Sequence, residues 1–329
     1  MSIIVFAKKE YNVKKKTKGK IMMYKPEGQN QSNYRYTTQE LYAAQKYGRI
    51  LEGRVNLCTE EHNLILDLGG AIGEIPKSEA VEELFGAKTK DIAIISRVGK
   101  PVCFKVVDIY TDSEGKPHAR LSRKLAQREC YEQYVKKLTP GDVISARITH
   151  VESFGCFADI GCGIISLLPI DCISVSRIDS PLERFKVGED ILCAVREIDA
   201  VSGRILLTHK ELLGSWEENA AMFSAGQTAV GIIRSVEDYG IFVELAPNLA
   251  GLSEPFEGAK PGMCATVYIK NIIPERMKIK LVIIDLSEDY CEKKQIKYYV
   301  PEENHIDYWR YTPLACERTI ETFFDVPRN

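Results

Sequence analysis

The chain has 329 residues, 45% of them apolar, with 44 basic against 46 acidic side chains and a formal net charge of −2. That length gives room for about two or three domains with cores of their own, and the charge balance lacks the basic excess usual in strong phosphate binders. No stretch of eighteen apolar residues occurs, and the opening segment lacks an apolar run followed by small residues, so the sequence predicts a cytoplasmic protein with no membrane span.

Residues 1–47 read as a basic extension and lead-in. Over residues 1–21, Lys8, Lys9, Lys14, Lys15, Lys16, Lys18 and Lys20 stand against a lone Glu10, which predicts a solvated, disordered arm. A first unit spans 48–126. Its alternating segment Gly53-Arg54-Val55-Asn56-Leu57-Cys58 reads as a strand, Gly69-Gly70-Ala71-Ile72-Gly73 as a hairpin connection, and Leu121-Ser122-Arg123-Lys124 as its close. Leu125, Ala126, Cys130, Tyr131 and Val135 then fall at helical spacing, predicting a helical linker at 127–137.

A second unit, 138–210, begins with the strand Ala146-Arg147-Ile148-Thr149-His150-Val151 and enters Phe154-Gly155-Cys156-Phe157-Ala158-Asp159-Ile160. That pattern recurs in a third unit, 224–286, as Tyr239-Gly240-Ile241-Phe242-Val243-Glu244-Leu245, again after a short strand, Gly231-Ile232-Ile233-Arg234-Ser235-Val236. In both copies two aromatics bracket a tight glycine turn. Strand alternation puts Phe157 and Asp159 on one face and Ala158 and Ile160 on the other. The expectation is therefore an exposed ring with an outward carboxylate two residues on. An exposed ring serves a core poorly and an unpaired nucleobase well.

Between these units, residues 211–223 are expected to form a second helical linker, with Leu212, Trp216, Ala220 and Phe223 on its apolar face and Trp216 as a plug between modules. The tail, 287–329, is rich in rings: Tyr290, Tyr298, Tyr299, Tyr308, Trp309 and Tyr311. It is expected to fold back on the third unit as an irregular cap.

Each unit supplies five short strands in roughly 65 to 75 residues, the proportions of a small Greek-key barrel that binds oligonucleotides on the exterior of its second and third strands. The fold class is all-β: three tandem five-stranded OB-fold barrels joined by short helices, with irregular N- and C-terminal extensions. In its glycine, paired aromatics, acidic strand position and closing Leu-Thr-His-Lys (207–210), the second unit resembles the S1-type RNA-binding domain. The chain as a whole resembles a short form of the small-subunit ribosomal protein S1 family of bacteria.

The resemblance implies base stacking on Phe154 and Phe157, backbone contacts from Asp199 and Arg204, a phosphate contact from Lys210, and stacking on Tyr239 and Phe242 in the third unit. It also implies a His on the third strand, where this chain has Pro169 and Glu254. The first unit departs further, with His62 and Ile65 at the aromatic positions and Pro76 at the His position. It is expected to bind RNA poorly and to dock on the small ribosomal subunit instead.

The second unit carries seven basic against ten acidic residues, a net of −3, so affinity per module should be modest and rest on stacking and on tethering of several weak sites. Cysteines fall singly and outside any Cys-x-x-Cys pair, which reads as buried thiols in place of a disulfide or zinc framework. No phosphate loop, His-Glu-x-x-His or Gly-x-Ser-x-Gly is present. The expected function is non-catalytic single-stranded RNA or mRNA binding in translation, with no catalytic residue, cofactor, metal, membrane or small-molecule substrate. His209 is expected at the surface. Two other functions are compatible with the same barrels: an adaptor that binds proteins, and an accessory factor in transcription or RNA decay.

Overall fold

Alternating apolar residues build a closed five-stranded barrel three times over in this chain. The computed structural model describes residues 9–11, 24–29, 33–84, 90–287 and 296–324. Most of the lysine-rich arm lies outside the described residues. Its described part, β1 (Lys9–Tyr11), pairs antiparallel with Tyr298–Val300 of the tail.

The first barrel consists of β2 (Ile50–Cys58), β3 (Leu64–Asp67), β4 (Ile72–Ile75), β5 (Pro101–Thr111) and β6 (Pro117–Ser122). The second comprises β7 (Val143–Glu152), β8 (Gly155–Asp159), β9 (Ile165–Pro169), β10 (Asp190–Ile198) and β11 (Ile205–Thr208). The third comprises β12 (Thr228–Glu237), β13 (Gly240–Ala246), β14 (Leu249–Ser253), β15 (Cys264–Ile273) and β16 (Lys278–Ser287). Within each barrel the pairs are antiparallel except the one that joins the third strand to the fifth, which is parallel. The interiors are filled by small and branched side chains, such as Leu66 and Leu121 in the first barrel, Ala158 and Leu168 in the second, and Val243 and Val267 in the third, all fully buried. Among the described residues no helix is long and apolar enough to cross a membrane.

Helices roof the seams. Helix α1 (Thr38–Tyr47) opens on a Thr37–Glu40 capping box and stops at Gly48 in the left-handed conformation. A short helix, α2 (Asp91–Ile95), interrupts the first barrel between β4 and β5. Helix α3 (Arg123–Gln133) starts directly from the end of β6, where the Ser122 hydroxyl accepts the Leu125 N–H at 2.9 Å. The linker expected as one helix over 211–223 is broken. A single 3-10 turn covers Lys210–Leu213, Gly214 takes φ +80°, and α4 (Trp216–Ala220) restarts on a Ser215–Glu218 box. Ser215 competes for its own backbone and so begins a new helix.

Arg123, which follows the capping Ser122, is a buried polar plug. Arg123 is 1% exposed and forks onto Glu27 at 2.7 and 2.9 Å; Glu27 is delivered by the lead-in, which threads between the first two barrels. The second Glu27 contact to the first barrel comes from the Cys103 N–H at 3.0 Å. His209, fully buried, does the same under the second and third barrels, which overturns the expectation of a surface histidine. It lies at the end of a strand whose next turn folds inward, so the outward position is covered by chain that arrives later in the sequence.

That later chain is the tail. Its strands are β17 (Tyr298–Val300), β18 (Tyr308–Arg310) and β19 (Glu321–Phe323), and β18 and β19 form a hairpin. Tyr298, Trp309 and Tyr311 are buried together with Trp216 against the third barrel. Among the described residues eight cysteines are free, six of them in the core of the second barrel and its seam. Cys264 departs from the expectation of thiols throughout, being disulfide-bonded.

Candidate nucleic-acid interface

The sheet register sets one row of side chains around the outside of each barrel. In the second barrel the row is His150, Phe157, Leu167 and Leu206, each opposite the next on β7, β8, β9 and β11. In the third it is Ser235, Phe242, Leu252 and Lys280. In the first it is Leu57, Ile65, Glu74 and Arg120. The three rows are structurally equivalent, so their composition compares the barrels directly.

Rings dominate the second row. Phe154, 53% exposed, meets half-buried Phe157 edge-on, with centroids 6.1 Å apart and planes at 90°. Tyr239, 69% exposed, meets half-buried Phe242 at 6.2 Å and 87° in the third barrel. The glycine between each pair is required by close approach. A Cβ on Gly155 would lie 2.5 Å from the Leu168 carbonyl oxygen and one on Gly240 2.4 Å from that of Ser253. Thus the turn that lifts the first ring clear of the sheet is available only to glycine. Neither pair points into a barrel interior, which is occupied by Cys156 and Ala158 or Ile241 and Val243.

Residues 137–210 match the sequence profile of the S1 RNA binding domain. Over 245 residues the chain is 29% identical to the small ribosomal subunit protein bS1 of Leuconostoc lactis, covering 68% of this chain and 54% of that one. Over 275 residues it is 28% identical to a bS1 homolog of Bacillus cereus, covering 78% and 66%. The chain is ribosomal protein S1-like. It spans about half the length of the first of these relatives. Among solved structures it is similar to a multidomain protein with nucleic acid binding domains from Streptococcus pneumoniae, at 16% identity and TM-score 0.24, covering 74% of this chain and 76% of that one.

The S1-like barrels do not leave their acidic strand position open, contrary to expectation. Asp159 is 1% exposed and accepts the N–H groups of Glu27 (2.7 Å), Gly161 (2.8 Å) and Gly163 (3.0 Å). Burial, with the Glu27 carboxylate beside it, pushes its pKa up to about 8. Glu244, 7% exposed, holds Arg184 of the second barrel at 2.6 Å and Arg234 at 2.8 Å. Alternation pointed both carboxylates outward correctly, but a preceding segment docks there. Asp67, at the equivalent position of the first barrel, holds Arg35 at 3.3 Å and remains exposed.

The remaining site residues of the S1-like chain divide between the two ends of β11. At one end, the exposed Asp199 builds a turn: its carboxylate accepts from the Val201 and Ser202 N–H groups and the Ser202 hydroxyl, which lowers its pKa. The turn built on Asp199 Oδ1 shapes the loop that presents exposed Arg204. At the other end Lys210 donates to the Asp171 carbonyl at 3.1 Å, and the neighbouring Ile170 N–H donates to the Phe154 carbonyl at 2.9 Å. Lys210 therefore stands near Phe154, and Arg204 does not.

Two residues of this face escaped the sequence reading. Bulges in β7 and β10, between Ile148 and His150 and between Val195 and Glu197, turn His150 and Arg196 outward. Arg196 reaches Asp171 at 3.6 Å while staying 41% exposed, which adds a second cation beside Lys210. In sequence, the one available signal was that strict alternation would have buried a histidine next to an apolar pair.

Proposed function

We propose that this S1-like chain binds single-stranded RNA, messenger RNA in translation included, by stacking unpaired bases on the outer rings of its second and third barrels, without catalysis and without a cofactor. The observation that carries this reading is the duplicated edge-on ring pair, Phe154 with Phe157 and Tyr239 with Phe242, at 6.1 and 6.2 Å on equivalent outer rows. Lys210, Arg196 and Arg204 flank the second pair of strands and supply modest phosphate attraction; the barrel's acidic balance keeps that term small.

The first barrel takes a different part. Its row of Leu57, Ile65, Glu74 and Arg120 holds no aromatic ring, and His62, in the place of the first ring, is engaged with Lys77 at 3.2 Å. We assign it to docking on the small ribosomal subunit, with the whole protein acting in the cytoplasm. Two measurements test the proposal. Replacing Phe154 and Phe157 by Ala should weaken binding of the full chain to single-stranded RNA by about 2–6 kcal/mol at most; unchanged affinity points to the adaptor function instead. Sedimentation of the chain with small subunits, in gradients run with and without ribonuclease, should leave it on the subunit after digestion if the first barrel makes the attachment.

A further inference from the structure

We propose that His150 is a base-stacking residue of the second barrel, extending its platform from two rings to three; this rests on the RNA-binding reading above. The imidazole lies nearly parallel to Phe157, with centroids 6.2 Å apart and planes at 28°, while Phe154 meets the same Phe157 edge-on at 6.1 Å. Phe157 is thus the middle of a continuous ring surface that runs from the turn to β7. The His150 side chain is 62% exposed, so a base laid over Phe157 overlaps the imidazole without any side chain having to move.

Two features hold the ring in place. The bulge at Thr149, whose hydroxyl donates to the Phe157 carbonyl at 3.1 Å, fixes the backbone that carries His150. Glu152 engages Nε2 at 2.7 Å and so restricts rotation about the ring bond. An exposed contact of this kind contributes little to stability. A solvent-facing histidine stacked on an aromatic and tethered on its far edge is better suited to receiving a flat ligand than to supporting the fold. The equivalent positions are Ser235 in the third barrel and Leu57 in the first, so the third ring is confined to the barrel that also matches the S1 profile.

The test uses the full chain and single-stranded oligoadenylate as probe, with affinity measured across a salt series. His150→Ser should weaken binding by about five- to a hundred-fold, the range of one stacked base, leave the salt dependence unchanged because no phosphate contact is lost, and leave the thermal unfolding midpoint where it was. His150→Phe should restore affinity. If His150→Ser binds normally while Phe154→Ala with Phe157→Ala does not, the proposal is overturned and RNA binding by the ring pair stands. If neither variant loses affinity, the RNA reading of this barrel fails and the proposal fails with it. A shallower salt dependence in His150→Ser that Phe does not restore would make His150 a phosphate contact and overturn stacking.

Discussion

The imidazole Nε2 of His209 lies 3.2 Å from the phenol oxygen of Tyr298, and the two rings meet edge-on with centroids 5.5 Å apart. The histidine ends the second barrel and the tyrosine comes from the tail, 89 residues later. A polar relay runs through them. The Leu192 N–H donates to the Tyr298 oxygen, the tyrosine hydroxyl donates to Nε2, and Nδ1–H donates to the Ile173 carbonyl at 2.9 Å. Every partner in this relay suits a neutral imidazole.

Acid should loosen that joint. Burial holds the His209 pKa down to about 4, against about 6.5 for an unfolded histidine. The unfolded chain thus binds more protons between those values. The stability contributed by a neutral His209 is present above about pH 6.5 and is lost as the pH falls toward 4, by up to about 3 kcal/mol. As the pH falls from about 6.5 toward 4, the urea midpoint of the natural chain should drop relative to that of His209→Gln, a comparison in which the opposite contribution of Asp159 cancels. A difference between the two that does not change with pH would refute the assignment.

Glu27 should prove one of the costliest residues to remove. Its carboxylate is the main counterion of Arg123, which is otherwise sealed between the first two barrels. Glu27→Ala leaves that guanidinium unpaired and should destabilise the chain by about 3–5 kcal/mol, whereas Glu27→Met combined with Arg123→Met should recover most of the loss. Denaturant titration of the two variants decides the matter, and an additive double variant would contradict it.

The junction of the second and third barrels should come apart at Glu244. Arg184 and Arg234 both lean on this carboxylate, and Asn248 accepts the Val175 N–H at 2.9 Å nearby. Glu244→Ala strands Arg184, which is 7% exposed, and leaves Arg234 to Glu183 alone. Calorimetry should then show the third barrel melting separately from the second, a splitting absent in the natural chain.

Within the third barrel the two rings should respond differently. Tyr239→Ala removes a side chain that is 69% exposed, so stability should change by no more than about 0.5 kcal/mol. Phe242, half-buried and opposite Leu252, should cost more stability when truncated. RNA affinity should fall in both. Equal effects on stability with no effect on RNA would mark the pair as barrel-edge packing.

Much of the architecture could be read from the chain because the repeat obeys local rules. The glycine between the rings, the alternation through Cys156 and Ala158, and the closing Leu-Ser and Leu-Thr steps each act over a few residues. What alternation could not reveal were events at a distance or out of phase. Asp159 and Glu244 do point outward, but only the fold shows that Glu27 and Arg184 arrive to cover them. His209 looked solvent-facing because Tyr298 is remote in sequence. His150 was hidden by a one-residue bulge, which reverses the face of everything that follows it in the strand.

Arg184, planted on Glu244 across the junction, also sets a measure. With this contact in place the ring pairs at Phe154 and Tyr239 sit at a fixed span, like two marks on a ruler. A transcript too short to bridge the marks should bind as though one site were absent, while one just long enough should show an abrupt gain in affinity.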